Sequence, residues 1–126
     1  MRVLLDTHVA LWLLGDGAHE LADDLVERLA DPATDVQLSA ASVWEVDIKR
    51  GLGKLTVDAD IVEAGEAAGF APLPISHEHA VVAGRLPRHH ADPFDRMLVA
   101  QAQLEDLTLV TRDPALQAYD VPILLA

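Results

Sequence analysis

The sequence contains no cysteine, which excludes a disulfide framework, a thiolate metal site and a thiol nucleophile. Aromatic residues make up only 4% of it, so any core has to be assembled from Leu, Val, Ile and Ala. Basic residues are scarce as well: 9 Lys and Arg stand against 21 Asp and Glu, a net charge of −12. That balance argues against a passive nucleic-acid binder, which needs Lys and Arg for phosphate contacts. No apolar run approaches the roughly 20 residues that span a bilayer. The opening Met1-Arg2-Val3-Leu4-Leu5-Asp6 lacks the basic stretch, longer apolar run and cleavage site of a signal peptide. The expectation is a soluble, cytoplasmic protein with no membrane partner.

What is present fits one domain spanning residues 1–126, with a hydrophobic fraction of 51%. Seven of the nine basic residues fall between Lys49 and Arg112, leaving one stretch able to meet an anion. Carboxylates can also engage a phosphodiester if divalent metals bridge the two.

Short apolar runs at 2–5, 36–38, 107–111 and 121–125 read as buried strands. Phe70 to Ile75, with two prolines, reads as an edge strand. Helical spacing covers 7–14, 19–31, 40–50, a stretch from Asp58 or Asp60 to Gly69, 77–84 and 92 to about 105, with a short last helix from Pro114. Ser39 or Ser42 caps the third of these, Ser76 caps 77–84, and Asp92-Pro93 is an acidic N-cap with proline at the first helical position. Residues 87–91 form a loop with Arg88, His89 and His90. Strands of continuous apolar character alternating with helices predict an α/β fold: a three-layer α/β/α sandwich on a short, mainly parallel sheet.

In such sheets ligands bind outside the carboxyl ends of the strands. Asp6 ends the first strand and Asp113 follows the 107–111 strand, so both are expected on one rim. Glu45 lies beside an apolar stripe of Ala41, Trp44 and Ile48, with Leu52 extending it, and a carboxylate there needs a reason. Asp95 sits in the first turn of its helix, where an anion is favoured. Asp92, three residues earlier, reads as the N-cap. Converging carboxylates are resolved by raised pKa values or bound cations. Oxygen donors alone select hard ions, Mg²⁺ or Mn²⁺.

Plainer readings stand beside these. Asp6 and Asp113 can serve as helix caps, Asp113 in both roles at once. Glu45 can pair with Lys49 at i,i+4. Thr7 and Thr111 can hold oxygens near the acids or satisfy backbone. Arg96 and Arg112 can hold phosphates or screen the carboxylates. His8, His89 and His90 match no common zinc spacing and read as solvated loop residues. Trp12 and Trp44 read as core or interface.

Four blocks of the chain together carry a resemblance. They are Leu4-Leu5-Asp6-Thr7-His8 with Trp12; Ser39-Ala40-Ala41-Ser42-Val43-Trp44-Glu45 with Leu52-Gly53-Lys54-Leu55; His90-Ala91-Asp92-Pro93-Phe94-Asp95-Arg96; and Thr108-Leu109-Val110-Thr111-Arg112-Asp113. In order and spacing they resemble the PIN-domain nucleases, in particular the VapC toxins of bacterial toxin–antitoxin pairs. The resemblance implies that Asp6, Glu45, Asp95 and Asp113 are the catalytic and metal-site acids; Asp92 and Asp95 compete for one role in it, and Asp95-x-x-Leu98-Val99-Ala100 is the better match to the family's acid followed by an apolar helix. It adds RNA as substrate, a cognate antitoxin as partner, and a homodimer within a larger toxin–antitoxin complex. Water activated by the metal would be the nucleophile, leaving 3′-hydroxyl and 5′-phosphate ends. The rivals fit less well. A receiver-like phosphoacceptor wants a paired acid before its first-strand site and a lysine after a late strand, where Arg112-Asp113 stands. A haloacid-dehalogenase-like phosphatase wants Asp where His8 stands. A non-catalytic binding module has no use for a complete acid set.

Overall fold

Five strands and six α-helices alternate along the described residues, 1–55 and 60–126 of a computed structural model. In chain order they are β1 (Arg2–Leu5), α1 (Thr7–Leu14), α2 (Asp23–Ala30), β2 (Asp35–Ser39), α3 (Ala40–Gly51), α4 (Ile61–Ala67), β3 (Ala71–Leu73), α5 (His77–Arg85), α6 (Pro93–Glu105), β4 (Thr108–Thr111) and β5 (Ile123–Leu125). Short 3₁₀ turns occupy Ala18–Glu20 and Pro114–Ala118. The strands form one sheet in the order β3-β2-β1-β4-β5, and every neighbouring pair is parallel.

The apolar runs account for the layers. Successive side chains of a strand point to opposite faces. Leu4 therefore enters a core with Leu98, Val99 and Ala102 of α6 and Ala83 of α5. Val3 and Leu5 enter the opposite core with Val9 and Ala10 of α1, Leu25 and Leu29 of α2, and Ile61 of α4. Leu109 and Val110 of β4 divide between the two cores in the same way. The result is the expected three-layer α/β/α sandwich.

From β1 the chain steps to β2 and β3 on one side, then crosses back to β4 and β5 on the other. The strand order thus reverses between β1 and β4, which opens a crevice at their carboxyl ends. Asp6 leaves β1 at that point, its N–H still donating to Val110 O at 2.9 Å. Thr111 and Asp113 leave β4 beside it.

Three expectations change. The helix read over 19–31 is broken: Leu21 adopts an extended conformation and buries its side chain, separating the Ala18–Glu20 turn from α2. The last helix is a single 3₁₀ segment. On α3 the buried face is Ala41, Ser42, Glu45 and Val46, while Trp44 is 60% exposed and Leu52 is exposed. Ser42 meets α1, where Thr7 Oγ1 donates to Ser42 Oγ at 3.0 Å, and Ala41 enters the core with Leu98 and Val99 of α6. That rotation carries Glu45 inward and Trp44 outward, edge-on to Phe94 at 5.3 Å between ring centroids. Ser39, not Ser42, caps α3, accepting from Ala41 N at 3.0 Å. Asp60 caps α4; the alternative start at Asp58 lies outside the described residues.

Candidate metal centre

Asp6 is the N-cap of α1. Its Oδ1 accepts from Val9 N at 2.9 Å, and its Oδ2 accepts from Thr111 Oγ1 at 2.5 Å. It is 7% exposed, and burial pushes its carboxyl above the usual range. The Thr111 and Val9 donors, and then His8, act in the opposite sense, while Glu45 adds to the rise. Thr111 also accepts from Asp113 N at 3.1 Å, so one hydroxyl ties the ends of β1 and β4 together.

Glu45 is 5% exposed. Its Oε2 accepts from Lys49 Nζ at 2.7 Å, the i,i+4 pair anticipated from spacing. Its Oε1 is buried with no hydrogen-bond partner among the described residues. The Lys49 ammonium is held above its ordinary pKa, chiefly by the hydrogen bond to Glu45, with Asp92 and Asp95 adding to the effect.

Asp95 stands in the first turn of α6. Burial is the main cause of a carboxyl pKa pushed up to about 7. The charge of Asp92 raises it next, His90 opposes, and Asp6 and Glu45 add further. Asp92 caps α6, its Oδ1 accepting from Phe94 N at 2.8 Å and Asp95 N at 3.1 Å. Asp113 caps the last 3₁₀ segment, accepting from Ala115 N at 2.9 Å. That bond, followed by the one from His90, holds its carboxyl below the ordinary value.

Asp6, Glu45 and Asp95 thus share one electrostatic neighbourhood, and Asp113 meets Asp95 through His90. The His90 Nε2 lies 3.0 Å from Asp113 Oδ2 and 3.4 Å from Asp95 Oδ2. Sequence reasoning placed His90 in solvent. Its role is visible only once the 86–91 loop is docked, and neither spacing nor composition carried a signal for it.

The structure revises the residues expected to hold substrate. Arg96 is buried, 8% exposed. Its Nη2 donates to Ala83 O at 2.9 Å and Leu86 O at 3.0 Å. Its Nη1 donates to Pro87 O at 3.1 Å, and to His90 O and Tyr119 Oη, each at 3.4 Å. A guanidinium spent in this way anchors the loop before α6 and does not reach a phosphate. Thr7 directs its hydroxyl to Ser42. Arg112 is exposed but donates to the Glu20 carbonyl and lies over the Trp12 ring, 4.4 Å from its centroid. Of the four, Thr111 alone touches the acid set, donating to Asp6 Oδ2 and accepting from Asp113 N.

Can these residues hold a hard cation? A buried carboxylate oxygen without a donor is costly, and so is an acid whose pKa burial and neighbouring carboxylates drive to about 7. A divalent ion among Asp6, Glu45 and Asp95 supplies the partner that Glu45 Oε1 lacks and relieves the repulsion on Asp95. All the donors are oxygens, as Mg²⁺ and Mn²⁺ prefer. By donor chemistry and electrostatic proximity these residues fit the group; the ligand-type atoms that already converge within 4.8 Å are those of His90, Asp95 and Asp113. An apolar groove of about 690 Å³ between α3, α4 and β3, lined by Leu38, Val43, Trp44, Ile61 and Phe70, includes none of these acids.

A model of the PIN domain matches residues 3–122. The chain belongs to the PIN domain family. PIN domains are nucleases. Among solved structures, this PIN domain is similar to VapBC2 from Rickettsia felis, bound to a DNA fragment from its promoter. The TM-score there is 0.73 at 16% identity, over 100% of this chain and 99% of that one. It is similar to FitAcB from Neisseria gonorrhoeae, with a TM-score of 0.62 at 25% identity over 98% and 96% of the two chains. It is also similar to VapBC-5 from Mycobacterium tuberculosis, a member of a family of toxin–antitoxin systems. That match has a TM-score of 0.63 at 21% identity over 99% and 98% of the chains. No curated protein sequence matches significantly. At these identities the similarity speaks for the fold.

Proposed function

We propose that this PIN domain is the toxin of a toxin–antitoxin pair: a cytoplasmic, Mg²⁺-dependent endoribonuclease, with Mn²⁺ able to replace Mg²⁺, neutralised by a cognate antitoxin. The observation that carries the reading is the partnerless Oε1 of buried Glu45 beside Asp95, whose pKa is driven to about 7. This is a site assembled at an energetic cost that a cation removes.

In this reading Asp6, Glu45 and Asp95 hold the ion, Asp113 completes the acid set, and Asp92 stays the cap. Bound there, the ion supplies Lewis-acid activation of water and stabilises the charge developing on the phosphodiester. The chain's own groups do the positioning. Thr111 and Val9 N–H fix the Asp6 carboxylate, and Lys49 fixes one oxygen of Glu45 and leaves the other for the ion. The first turn of α6 sets the Asp95 carboxylate at a helix N-terminus. One carboxylate of the set orients the attacking water or takes its proton, giving 3′-hydroxyl and 5′-phosphate ends. Asp6→Asn keeps the cap and removes the charge. Expressed in cells beside the unaltered chain, it should abolish growth inhibition and lower the yield of cleaved RNA ends at least about 100-fold. Cleavage and toxicity that survive Asp6→Asn, or cleavage undiminished by chelation of divalent ions, overturn the nuclease reading.

The antitoxin is supported by the toxin–antitoxin character of the similar structures. It is also supported by a net charge of −12 suited to a basic partner segment. Co-expression with the product of an adjacent small gene should yield a stable complex and restore growth; failure of both counts against it. The same resemblance carries the homodimer and the larger complex, which light scattering on the chain alone and with its partner tests.

A further inference from the structure

His90 is held at three points. Its N–H donates to Tyr119 Oη at 3.0 Å, its carbonyl accepts from Arg96 Nη1 at 3.4 Å, and its ring Nδ1 accepts from Asp92 N at 3.1 Å. A ring nitrogen that accepts from an N–H carries no proton of its own, so the neutral imidazole holds its proton on Nε2. That Nε2–H points between two carboxylates, 3.0 Å from Asp113 Oδ2 and 3.4 Å from Asp95 Oδ2. Ligand-type atoms of the three residues lie within 4.8 Å of one another.

This cluster has two readings. As a metal ligand, His90 would need a lone pair on Nε2. The proton would then move to Nδ1, where it would face the Asp92 N–H, donor against donor. As a hydrogen-bond donor, His90 needs no change at all. The backbone favours the second reading, because the Asp92 N–H fixes Nδ1 as the acceptor and leaves the ring proton on Nε2. An ion bridging Asp95 and Asp113 would sit about 2.1 Å from their oxygens, in the space that the Nε2–H fills.

We infer that His90 is a positioning residue that closes a second cation position. Its Nε2–H bridges Asp95 and Asp113 in place of an ion, so this chain takes one divalent cation, through Asp6, Glu45 and Asp95. The inference rests on the metal site proposed above and sets its stoichiometry. The loop anchors give it force: for an ion to enter, the imidazole has to leave a pocket that Tyr119, Arg96 and Asp92 hold in register.

The test is a count of Mn²⁺ bound per chain, by electron paramagnetic resonance of the free ion and by calorimetry, on the full-length protein near neutral pH. The unaltered chain should bind one. His90→Asn keeps an acceptor for Asp92 N–H but has no donor that reaches the carboxylates, and it should bind two. His90→Gln places an amide donor near the position of Nε2 and should return the count to one. Two ions in the unaltered chain overturn the inference whatever the variants do. So does a count of one or none in His90→Asn with an unchanged circular dichroism spectrum, or a count of two in His90→Gln. If the unaltered chain binds one ion and His90→Asn also binds one, the inference about His90 falls while the metal site proposed above stands. If the unaltered chain binds none, the metal site falls with it.

Discussion

Replacing Asp95 by Asn separates the requirements of folding from those of the site. In the folded chain the Asp95 carboxyl is raised from 3.8 to about 7. Below pH 3.8 the group is protonated in both the folded and the unfolded chain and favours neither. Between there and about 7 the unfolded chain ionises while the folded one retains its proton, so stability declines as pH rises. Above that range the full penalty applies. Fully expressed, it is about 4 kcal/mol. The side chain is 24% exposed, and solvent screening reduces the expected value to about 2 kcal/mol. Asn has the shape of Asp without the charge. In chelator at pH 8, Asp95→Asn should therefore be more stable than the unaltered chain by about 2 kcal/mol, and the difference should vanish near pH 4.

Urea denaturation followed by circular dichroism reads both quantities. Adding Mg²⁺ should reverse the order. An ion present at 100 times its dissociation constant stabilises the unaltered chain by about 2.7 kcal/mol, and Asp95→Asn should gain little. A stability profile that is flat from pH 4.5 to 8 in chelator, or an Asp95→Asn variant less stable than the parent at pH 8, refutes the account of Asp95 as a destabilised acid waiting for a cation.

Three further outcomes follow from named contacts. Arg96→Lys cannot reproduce a fork of five hydrogen bonds; it should cost about 3 kcal/mol in urea denaturation, and a loss under about 0.5 kcal/mol would return Arg96 to the surface role first read for it. Thr111→Val removes the donor to Asp6 Oδ2, so the Asp6 carboxyl should rise further and Mg²⁺ affinity should fall about tenfold by calorimetry; an unchanged affinity would show that this hydroxyl does not set the charge of Asp6. Lys49→Met leaves both oxygens of Glu45 without a partner and should destabilise the metal-free chain by about 1–3 kcal/mol, with Mg²⁺ restoring most of the loss; a deficit indifferent to Mg²⁺ would place Glu45 outside the ion's reach.

The order of elements was readable because a parallel sheet buried on both faces demands continuous apolar strands, and residues 2–5 and 107–111 supply them. Strand-end chemistry then placed Asp6 and Asp113 on one rim. Trp44 was misread because helical periodicity treats the largest apolar residue as the most buried. What decides the face of α3 is what it packs against: Ser42 meets Thr7 of α1, and Ala41 enters the core with Leu98 and Val99 of α6. Arg96 was misread for a related reason. Charge suggests a phosphate, yet the carbonyls of Ala83, Leu86, Pro87 and His90 converge where the 86–91 loop folds over α6 and need a donor there. Convergence of carbonyls from a loop leaves no trace in residue type. His90 is invisible for the same reason, being fixed by Tyr119 from a distant segment.

Capping and ligation do not compete at this site; they divide the oxygens of each acid. Asp6 and Asp113 both commit Oδ1 to a backbone N–H of the helix they begin, which fixes the rotamer and aims Oδ2 at a side chain, Thr111 for one and His90 for the other. Their geometry is thus set by local structure before any ion arrives. Glu45 and Asp95 are not caps, and the unresolved electrostatics sit on them: one has a buried oxygen without a partner, and the other has a pKa near 7. The caps therefore supply preorganisation, and the two helix-borne acids supply the affinity for a cation. Asn caps as well as Asp, so Asp6→Asn should keep the fold while removing a charge that burial disfavours, and, like Asp95→Asn, it should not weaken the metal-free chain. The two acids differ in what offsets burial: Asp6 has the Thr111 hydroxyl and the Val9 N–H, whereas Asp95 has His90 and is driven further, to about 7.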